Sequence, residues 1–125
     1  TKLNVPKNAV LVKGLFIDTI PVQLQMLDRQ YKCHTPVSFV HNDCDIYDGA
    51  RDALFLLSSR FVKGTIIVFD ELFNYPSFEK HEIKAFYELL ASSNIRLMPL
   101  GTSTDIALNI TGDLAIQTFG FVVVS

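Results

Sequence analysis

The fold is decided by residues 62–71, whose sequence is VKGTIIVFDE. The middle of this stretch is an unbroken run of β-branched and aromatic residues, which predicts a strand at residues 65–69 that is covered on both faces. Buried strands of this kind belong to sheets in which strands alternate with helices. Two acids, Asp70 and Glu71, follow directly. The stretch therefore predicts an α/β fold with acidic side chains at the end of a central strand.

Strands and helices alternate on both sides of this stretch. Further strands are predicted at residues 9–12, 37–40, 95–100 and 116–124 from short apolar runs. Helices are predicted at residues 19–29, 48–61 and 78–92 from apolar residues at helical spacing. We expect a single domain over residues 1–125, with a mostly parallel sheet that ends in an antiparallel pair of strands.

Composition and charge exclude several classes of protein. The chain has 125 residues, 49% of them hydrophobic, and a formal net charge of −2. It lacks the basic stripe of a nucleic-acid-binding surface, and no apolar run approaches the ~18 residues of a membrane span. Cys33 and Cys44 have neither a metal-binding spacing nor the pattern of a disulfide framework. These features predict a cytoplasmic protein with reduced thiols that binds neither nucleic acid nor membranes.

Two groups of acids follow two neighbouring predicted strands. Asp43 and Asp45 come after the strand at 37–40, and Asp70 and Glu71 after the strand at 65–69. Ligands of parallel sheets bind outside the carboxyl ends of the strands, so we expect these carboxylates to converge. A single acid at a strand end more often caps a helix, but two adjacent groups favour a metal or catalytic site. Oxygen ligands alone suit Mg²⁺, Mn²⁺ or Ca²⁺.

Five motifs occur in an order typical of one enzyme family. They are GLFIDTIP at residues 14–21, VHNDCDIY at 40–47, VKGTIIVFDE at 62–71, FNYP at 73–76 and HEIKAF at 81–86. Together they resemble the macrocin O-methyltransferase family of class I methyltransferases. The resemblance implies S-adenosylmethionine as cofactor. It also implies an acceptor that is a hydroxyl group of a sugar or of another small molecule.

The resemblance further implies a metal site and a general base. Asp43, Asp70 and Glu71 match the family positions that hold Mg²⁺, or Mn²⁺ in its place. Asp45 matches the proposed general base, which removes the proton of the acceptor hydroxyl while the methyl group is transferred. A metal ion bound to that hydroxyl lowers its pKa and orients its oxygen.

One edge of the cofactor site is implied by the same resemblance. The turn that borders the adenine ring in the family matches Gly14, Leu15 and Phe16. The resemblance also implies that Asp43 binds the cofactor. We expect Leu15 and Phe16 to pack against that ring. The alternative for Phe16 is ordinary packing in the protein core.

The chain departs from the family chiefly in what it lacks. It has neither the Gly-rich loop after a first strand nor the acid at the end of a second strand that bind most of the cofactor. The expected fold is therefore a partial Rossmann-like sheet, with its first two βα units missing and the strand at 9–12 without neighbours. Asn42 also replaces an apolar residue of the family pattern. We expect the chain to be inactive alone and to need a missing N-terminal half or another copy of itself.

Two other functions are compatible with these residues. A metal-dependent glycosyltransferase would use Asp43 and Asp45 as an Asp-x-Asp motif for Mn²⁺ and a nucleotide sugar, but it leaves Asp70 and Glu71 without a role. A non-catalytic remnant of a methyltransferase would fold only with a partner. Retention on a nucleotide-sugar column would favour the glycosyltransferase over a methyltransferase. A stable fragment that binds neither cofactor nor metal would favour the non-catalytic remnant.

Overall fold

The computed structural model describes residues 5–102 and 117–125. Their helices and strands, in chain order, are α1 Phe16–Tyr31, β1 Val37–Asn42, α2 Tyr47–Ser58, β2 Phe61–Phe69, a 3₁₀ turn Phe78–Lys80, α3 Glu82–Ser92, β3 Leu97–Gly101 and β4 Phe119–Val123. No helix within these two ranges has both the length and the apolar character needed to cross a membrane.

The four strands form one mixed sheet in the order β1-β2-β4-β3. β1 and β2 are parallel, whereas β4 is antiparallel to both of its neighbours, β2 and β3. Three strands thus run in one direction and β4 runs against them. This arrangement confirms the predicted partial Rossmann-like sheet with a terminal antiparallel pair. The predicted loop between the last two strands lies mostly in residues 103–116, outside the described residues.

Helices α2 and α3 cover one face of the sheet and form the core with it. Phe69 on β2 lies at the centre, with its ring 5.0 Å from that of Phe86 on α3. Phe86 in turn lies 4.7 Å from Phe121 on β4, measured between ring centroids. The buried apolar residues of this core are Val40, Ala50, Leu54, Ile67, Phe69, Leu72, Ala85, Phe86, Leu89 and Val123.

Helix α1 lies beside α2 and buries none of its own residues. It is tied to the rest of the molecule by Asp28, whose two carboxylate oxygens accept hydrogen bonds of 2.6 and 2.7 Å from the Arg60 guanidinium. That hydrogen bonding holds the pKa of Asp28 well below its usual range. The position of α1 therefore depends on an ion pair as well as on apolar contact.

The predicted strand at residues 9–12 is wrong. These residues have no regular secondary structure, and Val10 is 80% exposed. Within the described residues β1 is an edge strand that pairs with β2 alone. An isolated extended segment has no partner for its backbone N–H and C=O groups, so apolar composition alone does not make it a strand.

The predicted helix at residues 78–92 is divided at His81. The backbone angles of His81 are φ −112° and ψ −129°, outside the helical region. The first turn is therefore a separate 3₁₀ turn, and α3 begins at Glu82. This break places the Glu82 side chain beside the end of β1.

Candidate functional site

The carboxyl ends of β1 and β2 lie side by side. Asn42, the last residue of β1, pairs in register with Phe69, the last residue of β2. The next residues along the two strands are Asp43 and Asp70, and the Asp70 amide donates a 3.0 Å hydrogen bond to the Asn42 carbonyl. The parallel pairing therefore brings the two predicted acidic groups to one edge of the sheet.

The side chains of these acids lie against different neighbours in the described structure. Asp43 lines a cavity beside α2, whereas Asp70 Oδ1 lies 3.5 Å from Nε2 of His41. Glu71 lies close enough to Tyr75 for its charge to help raise the Tyr75 pKa, an effect due mainly to burial. In the described part of the chain, no three His, Cys, Asp or Glu side chains are grouped to hold a metal ion. The structure therefore does not support Mg²⁺ or Mn²⁺ at Asp43, Asp70 and Glu71, and the metal site stays a prediction.

A cavity of about 680 Å³ lies between the start of α1 and the first turns of α2. Its volume is within the range of small-molecule sites, ~300–1,000 Å³. Its wall includes Gly14, Leu15, Phe16 and Asp43, which are the four residues assigned above to the cofactor edge. Leu15 is 70% exposed and Phe16 is also exposed, so Phe16 does not pack in the core. The cavity thus offers an apolar surface next to a carboxylate.

The turn that carries Leu15 and Phe16 requires glycine at position 14. The φ angle of Gly14 is +147°, and a Cβ atom there would lie 2.6 Å from Cγ2 of Thr19. The Thr19 hydroxyl donates a 2.9 Å hydrogen bond back to the Leu15 carbonyl. Residue 14 must therefore be small for the turn to close onto the first turn of α1.

The opposite wall of the cavity is rich in acids. Asp43, Asp48 and Asp52 all line it, together with one base, Arg51. Arg51 lies 2.8 Å from an Asp52 oxygen and 3.5 Å from an Asp48 oxygen, and hydrogen bonding to Asp52 raises the Arg51 pKa. The single base is thus engaged by two of the acids, and the wall favours a ligand with hydroxyl groups or positive charge.

Asp45, the predicted general base, lies on the loop between β1 and α2. Its φ angle is +59°, in the left-handed region. The next residue, Ile46, donates its amide to the Cys44 carbonyl at 2.6 Å, which closes a tight turn. Asp45 is exposed and lies outside the cavity wall formed by the described residues.

A buried polar cluster next to this loop was not predicted from the sequence. Glu82 is 0% exposed, and its Oε1 accepts hydrogen bonds from Asn42 Nδ2 at 2.7 Å and from the Cys44 amide at 3.0 Å. Burial is the main cause that raises the pKa of Glu82 to about 7, and the negative charges of Asp43 and Asp45 raise it further. Hydrogen bonds from the loop backbone oppose this rise. The one available signal was Asn42, a polar residue in a position that the family pattern fills with an apolar one.

Cys44 is held inside this cluster as a thiol. Its Sγ donates to Asn42 Oδ1 at 3.2 Å. Burial, followed by the charge of Glu82, raises the Cys44 pKa to about 11. A thiol with so high a pKa is a poor nucleophile, so Cys44 serves the structure of the loop.

No protein-family profile and no curated protein sequence matches the chain. Among solved structures, the chain is similar to the apo structure of CalS11, a TDP-rhamnose 3′-O-methyltransferase of calicheamicin biosynthesis, with 25% identity and a TM-score of 0.60. The match covers 92% of this chain but 42% of that protein, so the chain spans about two fifths of its solved relative. The chain therefore has an O-methyltransferase-like fold, and the narrower macrocin family stays a prediction.

Proposed function

We propose that the chain is part of an S-adenosylmethionine-dependent O-methyltransferase, and that it carries one edge of the cofactor site and the general base. The observation that carries this proposal is the cavity that Gly14, Leu15, Phe16 and Asp43 line together. The fold likeness to a sugar O-methyltransferase supports it. The proposed acceptor is a hydroxyl group of a sugar or of another small molecule.

The cavity has the chemistry that this cofactor needs. Leu15 and Phe16 present exposed apolar surface to a flat aromatic ring such as adenine. The Asp43 carboxylate can only accept hydrogen bonds while ionised, which suits the ribose hydroxyls. The acids around Arg51 favour a cation, and the cofactor carries its transferable methyl group on a positively charged sulfur.

Asp45 is the proposed general base of the reaction. The acceptor oxygen forms a bond to the methyl carbon while the carbon–sulfur bond breaks and its electron pair stays on sulfur. Asp45 takes the hydroxyl proton as this bond forms, which makes the oxygen a better nucleophile. Asp43 fixes the orientation of the cofactor edge, and in-line geometry supplies a large part of the rate enhancement. No metal-dependent step is included, because the described carboxylates are not arranged as metal ligands.

We also propose that turnover needs more polypeptide than these 125 residues. The chain matches 42% of the solved methyltransferase, and it lacks the Gly-rich loop that binds the other end of the cofactor. The complement is either an N-terminal half or a second copy of this chain. We expect binding of the cofactor by the chain alone to be too weak for calorimetry.

Nuclear magnetic resonance of the ¹⁵N-labelled chain tests the proposed site. Titration with S-adenosylhomocysteine should shift the amide signals of residues 14–17 and of Gly49, with a dissociation constant on the order of 1 mM. Phe16→Ala should weaken these shifts, because it removes apolar surface from the wall. Phe55→Ala is the matched control, since Phe55 is a partly exposed phenylalanine of α2 outside the cavity.

The titration also separates the alternatives. Paramagnetic broadening of the Asp43 and Asp45 signals by Mn²⁺ with a nucleotide sugar, and no shift with S-adenosylhomocysteine, would favour the glycosyltransferase. A folded chain that responds to neither ligand would favour the non-catalytic remnant.

A further inference from the structure

A single carboxylate from α3 holds the loop that follows β1. Glu82 Oε1 accepts one hydrogen bond from Asn42, the last residue of β1, and a second from the Cys44 amide in the middle of the loop. Asn42 Oδ1 in turn accepts the hydrogen bond of the Cys44 thiol. The two contacts with Glu82 therefore join two elements that are far apart in the chain.

The attached loop carries both of the acids proposed to act on ligands. Cys44 lies between Asp43, which lines the cavity, and Asp45, the proposed base. Asp45 adopts a left-handed conformation that costs a non-glycine residue free energy, so it persists where surrounding contacts enforce it. The Cys44 amide, bonded to Glu82, ties the residue before Asp45 to the core, and the Asp45 backbone also interacts with the Glu82 carboxylate.

The buried cluster of Asn42, Cys44 and Glu82 is not an arrangement that would maximise the stability of the fold. Glu82 is fully buried, and its second oxygen, Oε2, has no hydrogen-bond partner among the described residues. A buried polar cluster replaced as a whole by apolar residues of similar size often loses no stability, whereas removal of one partner alone is destabilising. A buried carboxylate with one oxygen unpaired among the described residues is better explained by a role in holding the loop than by a contribution to core stability.

We propose that Glu82 is a positioning residue, which fixes the conformation of the loop at residues 43–46 and thereby the places of Asp43 and Asp45. The bond to the Cys44 amide carries this effect, and Asn42 orients the carboxylate that makes it. The consequence for methyl transfer rests on the proposed function, whereas the effect on the loop does not.

Amide hydrogen exchange of the 125-residue chain tests the proposal. Glu82→Leu removes the acceptor, so exchange at Cys44 and Asp45 should accelerate at least roughly tenfold, the usual worth of a hydrogen bond to a charged group. Exchange at Ile67, in the core strand β2, should accelerate less than exchange at Cys44, because only the loss of global stability reaches it. Glu82→Gln keeps an oxygen at Oε1 and should restore slow exchange. Glu88→Leu is the matched control, because Glu88 lies on the same helix but bonds to Tyr47.

Two results would overturn the proposal. The first is Cys44 exchange that stays at the wild-type rate in Glu82→Leu, and the second is equal acceleration at Cys44 and Ile67, which marks a general loss of stability. If Glu82→Leu does not fold, the Asn42→Leu/Glu82→Leu double variant replaces both partners by apolar residues, and wild-type exchange at Cys44 and Asp45 in it refutes the proposal.

The ligand titration keeps this outcome separate from the proposed function. Signals of Asp43 should shift with S-adenosylhomocysteine in the wild type and in Glu82→Gln, but not in Glu82→Leu. If the wild type shows no shift while loop exchange behaves as expected, the proposed function fails and the positioning role stands. Equal shifts in Glu82→Leu and the wild type would show that the loop does not need Glu82.

Discussion

Glu82 stands at the first position of α3 with its carboxyl group inside the molecule, where burial opposes ionisation. The charges of Asp43 and Asp45 oppose it further, and the pKa rises from 4.5 to about 7. A glutamate at the start of a helix is ordinarily solvated and favourable, because the helix dipole stabilises negative charge there. Residue type and position alone therefore do not predict that this side chain lies in the core, because the backbone break at His81 decides its direction.

The raised pKa predicts how stability depends on pH. The folded state holds the Glu82 proton more tightly than the unfolded state, so this stabilisation is complete below about pH 4.5 and is lost as pH rises through about 7. The loss amounts to at most about 3 kcal/mol at pH 8. Glu82→Gln has no such proton, so its free energy of unfolding should exceed that of the wild type increasingly from pH 5 to pH 8. Urea unfolding at each pH measures this difference.

The control for the pH experiment is Glu88→Gln, a change on the same helix. Its stability should keep a constant difference from the wild type across the same pH range. If Glu82→Gln also gave a constant difference, the Glu82 carboxyl would not be the group that titrates.

Substitution of Gly14 should loosen the turn before α1. Gly14→Ala places a Cβ 2.6 Å from Thr19 Cγ2 at a φ of +147°, so the turn before α1 must distort. The amides of Asp18 and Thr19, which bond to the Leu15 carbonyl, should exchange roughly ten- to a hundredfold faster. Gly64→Ala is the control, because Gly64 also has a positive φ but open space around its Cβ position. Unchanged exchange in Gly14→Ala would show that the turn tolerates a side chain.

At the scale of elements, the sequence predicted best where pattern and packing agree. Strand β2 is buried on the helix side, and α2 buries the face that its spacing indicates, so both lie near their predicted places. The strand predicted at residues 9–12 has a similar apolar composition but pairs with no strand among residues 5–102 and 117–125. The metal triad stays a prediction, because backbone register brings the strand ends together without deciding where the side chains of Asp43 and Asp70 point. Composition thus predicts an element only when its partners are present.

The contact between β1 and α3 predicts a double-mutant cycle. Asn42→Leu removes a hydrogen-bond donor from the buried Glu82 carboxylate, and Glu82→Leu leaves the Asn42 side-chain amide without its acceptor. Each variant should therefore lower the free energy of unfolding by about 1–3 kcal/mol. The double variant should lie closer to the wild type than the sum of the two, because neither partner is then left unsatisfied. Urea unfolding of the four proteins measures the coupling, and additive losses would mean that the hydrogen bond is not the source of the effect.

At the scale of the whole molecule, one face of the sheet is apolar, and none of the described helices covers it. Phe39, Ile66, Val122 and Met98 pair in register across all four strands, so their side chains lie in one row on one face. That face is opposite the one that carries Val40 and the core. Phe39 is 58% exposed and Met98 51% exposed, at the two ends of the row. Sheets of the Rossmann type bury both faces, so the row is a surface that another segment or another copy of the chain can cover.

The 125-residue chain should associate with itself at micromolar concentration. The apolar row and the edge of β1, which pairs with no other described strand, both gain from contact with another copy. Light scattering across a dilution series should show a mass above that of the 14.0 kDa monomer. Phe39→Thr/Met98→Thr should shift the protein toward monomer while its circular dichroism spectrum stays folded. Tyr87→Thr is the matched control, since Tyr87 is an exposed aromatic residue on α3, away from the row.

Neither form should transfer a methyl group if the missing cofactor loop must come from an N-terminal half, whereas activity that appears only in the associated wild type would identify the second copy as the complement. A wild-type chain that stays monomeric throughout the series would contradict the prediction and show that the apolar row is stable in water.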